Sequence, residues 1–178
     1  MHQLRMTAYA ALLAALTAVG AFIAIPIGPV PIVIQNLFVY LSGLLLGSKW
    51  GLSAMAVYLL AGICGLPVFS GGKGGIGHVI GPTGGYLLGF LPAVYVIGWI
   101  TEKAEKKDLA GIIAMICGTA VIYLLGVAWL KVLTGMTLIN TLVVGMVPFL
   151  VGDFIKIVVA AALAKALRPI MEVGSVPD

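Results

Sequence analysis

The decisive stretch is LAGIIAMICGTAVIYLLGVAWLKVL, from Leu109 to Leu133. No charge interrupts it before Lys131. A helix crossing the ~30 Å hydrocarbon core of a bilayer takes about 20 apolar residues. This run is long enough, and it is rich in Leu, Ala, Val and Gly without strict alternation. It reads as a transmembrane helix rather than a strand of a membrane barrel.

Working outward, five more apolar segments appear. The sequence predicts helices over Leu4 to Ile25, Gln35 to Leu46, Trp50 to Gly65, Thr83 to Thr101 and Leu138 to Leu167. Gly47-Ser48-Lys49 is a tight turn, and Pro148 is expected to kink the last helix by removing a backbone donor. Arg5 ahead of the first apolar run mimics a signal peptide. The length of that run, and the membrane segment after it, favour a retained helix. No internal repeat stands out, so an inverted-repeat transporter gains no support.

Composition agrees. The 178 residues are 62% hydrophobic and only 9% charged, with a mean hydropathy of +1.20. Soluble domains run near ~25% charged. A soluble enzyme and a disordered chain are both excluded. The net charge of +4 points to membrane orientation, not to nucleic acid. Cys64 and Cys117 lie inside apolar runs and form no disulfide framework or metal pattern. The expected fold is therefore an all-α integral membrane protein. It is a single domain over residues 1–178 with six transmembrane helices and both termini cytoplasmic.

The basic residues support that topology. With the N-terminus inside, Arg5, Lys49, Lys103, Lys106, Lys107, Lys165 and Arg168 are cytoplasmic, while Lys73 and Lys131 are outside. Seven against two follows the positive-inside rule. Lys156 is the tenth and lies within a helix.

Two outer loops follow. The first, Pro26-Ile27-Gly28-Pro29-Val30-Pro31, is stiffened by three prolines. The second lies between helices three and four, and residues 71 to 89 hold nine glycines. Gly71, Gly72, Gly74 and Gly75 let backbone groups approach a ligand closely, so this loop reads as a cover for a pocket or as a plain connector. Gly72 to Gly77 formally matches a dinucleotide fingerprint, but it lacks the strand and βαβ context. No Gly-Lys-Ser/Thr loop exists, so any ATP is used by another protein. Thr83-Gly84-Gly85-Tyr86 opens a helix after Pro82. Its N-terminus offers a seat for a carboxylate or is an ordinary helix start.

Asp153 and Lys156 are the most informative pair. Each charge deep in a bilayer costs about 2.5–3.5 kcal/mol on insertion scales. Their i, i+3 spacing puts both on one face, which must point into the bundle. They form either a mutual ion pair that merely neutralises two charges or a polar recognition cluster at the base of an outward-facing pocket; a proton relay has no chain of acidic residues behind it. Gln35 and Asn36 can reach the same pocket. Tyr40, Tyr58, Tyr86 and Tyr95 are candidate aromatic walls. His78 reads as a solvated or packed loop residue, with no second metal ligand near it. Trp50, Trp99 and Trp129 read as interfacial anchors. Neither a catalytic residue nor a metal site is expected. Ala10, Ala14 and Ala18, with Ala11 and Ala15 alongside, give small-residue faces for close helix packing.

Several of these strings together resemble a known family. They are Gly28-Pro29-Val30-Pro31-Ile32 with Gln35, Gly65-Leu66-Pro67-Val68-Phe69, the glycine run 71–75, Gly81-Pro82-Thr83-Gly84-Gly85-Tyr86 and Asp153-Phe154-Ile155-Lys156. The chain resembles BioY proteins over nearly its whole length, with Asn36 standing where threonine is expected. The resemblance implies a biotin-specific substrate-binding component of an energy-coupling-factor transporter in a prokaryotic cytoplasmic membrane. It implies a transmembrane coupling protein and two ATP-binding-cassette ATPases as partners, with toppling of the binding component in the membrane. It implies no cofactor of the chain's own. The helix-one alanines would meet the coupling protein, in a register the sequence leaves open. Another vitamin on the same fold, a self-sufficient transporter and an intramembrane enzyme using Asp153 are the alternatives.

Overall fold

The computed structural model describes residues 2–26, 28–105 and 107–173. Ile27 of the first outer loop and Lys106 of the cytoplasmic count lie outside the described residues, as does the side chain of His2.

Helix α1 spans His2–Phe22. It stops short of the expected Ile25 because Ala24–Ile25 (β1) pairs antiparallel with Ile32–Val33 (β2). Gly28, at φ 72°, lies within the turn between them.

Helix α2 is assigned over Gln35–Ile63, but Gly47 inside it has φ 78° and ψ −171°. A straight helix of 29 residues would put its ends roughly 43 Å apart. Instead Tyr58 Oη donates to Gln35 Oε1 at 3.5 Å across 23 positions. A Cβ on Gly51 would stand 3.0 Å from the Ser42 carbonyl oxygen. The element is therefore a helical hairpin with arms over 35–46 and 48–63, turning at Gly47. Only glycine takes that backbone conformation without strain. The turn is clamped by Glu102, whose Oε1 accepts from Ser48 N at 2.8 Å and whose Oε2 accepts from Ser48 Oγ at 2.9 Å. The carboxylate thus caps the open N–H end of the second arm.

The second outer loop is not plain coil. Phe69 and Lys73 form a β-bridge around Gly71 and Gly72 at φ 72° and 70°. A short helix, α3, covers Ile76–Ile80. Gly71 N donates to Ala21 O, and Gly75 N donates to Gly62 O at 2.7 Å. Backbone bonds thus tie the loop to α1 and to the end of α2.

Helix α4 (Gly84–Lys103) packs between α2 and α5 (Asp108–Thr134). Gly135, in the left-handed conformation at φ 67°, caps α5. The last expected helix is broken rather than merely kinked. α6 covers Leu138–Gly145, a 3-10 turn covers Val147–Phe149 around Pro148, and α7 runs Leu150–Val173. Among the described residues, five helical segments are long and apolar enough to cross a membrane. Six were expected, and among these five the segment Gln35–Ile63, with its turn at Gly47, counts once. The core is held by buried Tyr40, Met55, Tyr58, Phe69, Phe90 and Ile97.

Charge divides the molecule into two ends. Around Gly47, Arg5 donates to Met171 O at 2.8 Å. Lys165 and Arg168 face Asp108 at 3.2 and 3.7 Å. Arg5, Gly47, Glu102 and Arg168 line one cleft there. The other end carries the glycine loop and Lys73.

Candidate functional site

Helix α7 turns Asp153, Lys156, Ile157, Ala160 and Ala164 inward, while Phe154, Ile155 and Val158 are exposed. The spacing read from the sequence thus lies on the bundle face. Asp153 is 3% exposed and Lys156 9%. Lys156 Nζ donates to Asp153 Oδ1 at 2.8 Å. Tyr123 of α5 donates its hydroxyl to the other oxygen, Oδ2. A buried carboxylate with a cation on one oxygen and a phenol on the other carries no uncompensated charge.

These residues border a cavity of about 530 Å³ when the open space at its mouth is counted. Gln35 and Asn36 come from the first arm of α2, Thr83 and Tyr86 from the start of α4. Phe90, Ile122 and Phe149 supply apolar wall, Val30 and Pro31 reach in from the first loop, and Ser70 and His78 from the second.

The wall is braced from behind. Tyr86 Oη donates to Gly145 O at 2.7 Å, tying α4 to the break between α6 and α7. Phe69 is fully buried, edge-on to Tyr58 (centroids 5.7 Å apart, planes at 80°) and stacked on His78 (5.3 Å, 18°). Thr83 Oγ1 lies 3.1 Å from His78 Nε2. Burial, and then the nearby Lys73 ammonium, hold the His78 imidazole below its ordinary pKa.

The structure brings together Asp153, Lys156, Gln35, Asn36, Thr83 and Tyr86 on one cavity. The glycines stand elsewhere. Gly71, Gly72, Gly74 and Gly75 shape the loop over the mouth and do not line the cavity. Gly84 and Gly85 are buried in packing: a Cβ on Gly85 would meet the Leu125 carbonyl oxygen at 2.5 Å, and one on Gly84 would run into the Val79 carbonyl of α3 before reaching Trp129 Nε1 at 3.2 Å. Trp129 itself donates to Gly81 O at 3.0 Å. Tyr95 is 46% exposed and faces away from the site.

Sequence reasoning missed Tyr123. No motif surrounds it, and its one signal was a hydroxyl inside an otherwise apolar helix. His78, read as a loop residue, does pack in its loop, and it also lines the cavity. On α1, Ala10 and Ala14 are buried, Ala18 is half-buried, and Ala11 and Ala15 are exposed beside Leu12 and Val19.

Comparison with known proteins gives a consistent picture. The family model for the BioY family matches residues 1–173. The biotin transporter BioY of Thermotoga maritima is 45% identical over 166 residues, covering 93% of this chain and 96% of that protein. A probable biotin transporter BioY of Pyrococcus horikoshii is 40% identical, covering 89% and 93%. In three dimensions the chain is similar to the crystal structure of an S-component for biotin from an ECF-type ABC transporter. That match has a TM-score of 0.89 at 30% identity and covers 94% of this chain and 93% of that one.

Proposed function

This chain belongs to the BioY family, and we propose that it captures biotin in the cavity floored by Asp153 and Lys156. It acts as the substrate-binding component of an energy-coupling-factor transporter and is not an enzyme. The observation that carries the reading is the buried acid–base pair on a cavity that also has apolar walls. An ureido ring offers two N–H donors and one carbonyl acceptor. A carboxylate has about four acceptor sites and an ammonium three donors. Asp153 uses two acceptor sites and Lys156 one donor inside the chain. Acceptors and donors both remain for a ligand of that polarity. Phe90, Ile122 and Phe149 suit a thioether ring and an aliphatic tail.

The hairpin at Gly47 supports six membrane passes, with each arm of α2 a pass of its own and both termini in the cytoplasm. The basic end around Gly47 then lies inside, in a prokaryotic cytoplasmic membrane. A transmembrane coupling protein and two ATP-binding-cassette ATPases supply the energy, and ATP is used only there. The exposed small-residue face of α1, Ala11 and Ala15, is the surface for the coupling protein. Gly71, Gly72, Gly74 and Gly75 form the cover of the pocket, and no cofactor belongs to the chain itself.

The test is equilibrium biotin binding to the purified protein in detergent, with Asp153→Asn and Lys156→Ala alongside. Tight binding that both substitutions abolish is the expected result. Well-folded protein that ignores biotin and binds another vitamin would overturn the ligand assignment. Uptake in cells is expected to stop when the ATPases are removed, and unchanged uptake would overturn the partner assignment.

A further inference from the structure

Beyond the Asp153–Lys156 pair, the polar groups on the cavity include the imidazole of His78, whose part is unassigned. Three features set it apart. It is on α3 in the loop over the mouth, half-buried, whereas Asp153 and Lys156 lie buried at the floor. It is held rigidly, its ring stacked on the fully buried Phe69 and its Nε2 engaged by Thr83 Oγ1. Its other ring nitrogen, Nδ1, has no hydrogen-bond partner among the described residues.

The surrounding charge is one-sided. From residue 23 to 101, and again from 109 to 152, the sequence contains no Asp or Glu. The mouth therefore carries Lys73 and His78 with no carboxylate beside them. Across the cavity the groups that face His78 are Asp153 and Lys156 on α7, Tyr123 on α5 and Tyr86 on α4. Of these, Asp153 is already matched by Lys156 and Tyr123. A mouth of this kind attracts an anion, and its low-polarity walls strengthen the attraction.

Resting on the reading of the pocket as a biotin site, we infer that His78 receives the ligand's free carboxylate at the mouth, while the floor pair takes the ring end. The binding is then linked to a proton. In the empty site burial and Lys73 favour the neutral imidazole. A carboxylate arriving at Nδ1 favours the imidazolium, so one proton is taken from solvent as the ligand binds. The resulting charge-assisted hydrogen bond is the stronger kind. By linkage, affinity rises as pH falls through the histidine range.

The experiment measures biotin and biotinamide, its uncharged amide, binding to the detergent-solubilised full chain between about pH 8 and about pH 5.5, the span over which histidine titrates. It is repeated with His78→Gln. The expected result is biotin binding tightened on the order of tenfold across that span, with biotinamide flat. In His78→Gln the pH dependence disappears and the acid weakens more than the amide. A variant that only disturbed the loop would weaken both ligands equally, and that outcome overturns the inference. Biotin affinity that does not change with pH, or a dependence that survives His78→Gln, also overturns it while leaving biotin capture intact. Absence of biotin binding at every pH overturns the reading of the pocket itself.

Discussion

Tyr123 on α5 gives its hydroxyl hydrogen to Asp153 on α7, across 30 positions of sequence. That bond fixes the carboxylate from the side opposite Lys156, so the pair stands in one orientation. Hydrogen bonds to charged groups are worth about 1.5–3 kcal/mol. Tyr123→Phe keeps the ring and the packing and is expected to weaken biotin binding roughly tenfold or more. Titration calorimetry reads this directly. Unchanged affinity would show that Lys156 alone orients the site.

The ion pair itself has a different signature. Removing one member of a buried pair costs about 3–5 kcal/mol because a charge is stranded. Lys156→Met alone is expected to lower the thermal unfolding midpoint clearly. Lys156→Met combined with Asp153→Asn is expected to recover most of that loss while still failing to bind biotin. Unfolding in detergent, followed by intrinsic fluorescence, checks both halves. A double variant no more stable than the single would mean that the pair does not carry the cost.

Where α4 crosses the hairpin turn there is no room for a side chain. A Cβ on Gly98 would lie 2.5 Å from Ser48 Cα, and backbone cannot swing away as a flexible side chain can. Gly98→Ala is expected to cost about 1–3 kcal/mol, the usual range for overpacking. Glu102→Ala removes the cap on Ser48 and is expected to cost about 0.5–2 kcal/mol. Thermal unfolding is again the readout, and wild-type stability in Gly98→Ala would contradict the close approach.

The hairpin makes a topological prediction. If 35–46 and 48–63 each cross the membrane, Pro29 and Lys73, both exposed, face the same side and Lys107 the other. With Cys64 and Cys117 replaced by alanine, a membrane-impermeant thiol reagent added outside intact cells is expected to label Pro29→Cys and Lys73→Cys but not Lys107→Cys. Labelling of only one of the first two would falsify the hairpin in favour of a single crossing.

Without ligand, His78 favours its neutral form in the folded loop. The unfolded segment protonates nearer the ordinary value of about 6.5. Lowering the pH below that value therefore adds protons to the opened state first, and the loop loses stability. Hydrogen exchange over residues 69–83 of the empty protein is expected to speed up from about pH 7 to about pH 5.5 once corrected for intrinsic rates. Saturating biotin is expected to cancel the effect.

Much of this was legible because membrane helices announce themselves by length and apolarity. The expected helices over 83–101 and 109–133 differ from α4 and α5 by a residue or two at each end, and the turn at Gly47 was readable because Gly47-Ser48-Lys49 interrupts two apolar runs. The Asp153–Lys156 face followed from spacing and from the cost of buried charge. Other features depend on tertiary contacts that no local pattern encodes. β1 and β2 close on each other only once the prolines have turned the chain. The glycine loop gains its bridge and α3 by bonding back to Ala21 and Gly62. Gly84 and Gly85 looked like ligand contacts because glycine permits any close approach, and here the partners are the Val79 carbonyl for Gly84 and Trp129 with the α5 backbone for Gly85. Tyr123 is a phenol among apolar neighbours, and only the fold says what lies opposite.

The first arm of the hairpin begins at Gln35 on the wall of the outer cavity and ends at the Gly47 turn beside the inner cleft. Twelve residue steps of helix measure about 18 Å, against ~30 Å for an average hydrocarbon core. No residue from 35 to 46 is exposed, so neighbouring helices rather than lipid surround this short arm. Its shortness is hidden from the bilayer, and the longer helices with exposed apolar flanks, α1 and α5, set the fit to the membrane.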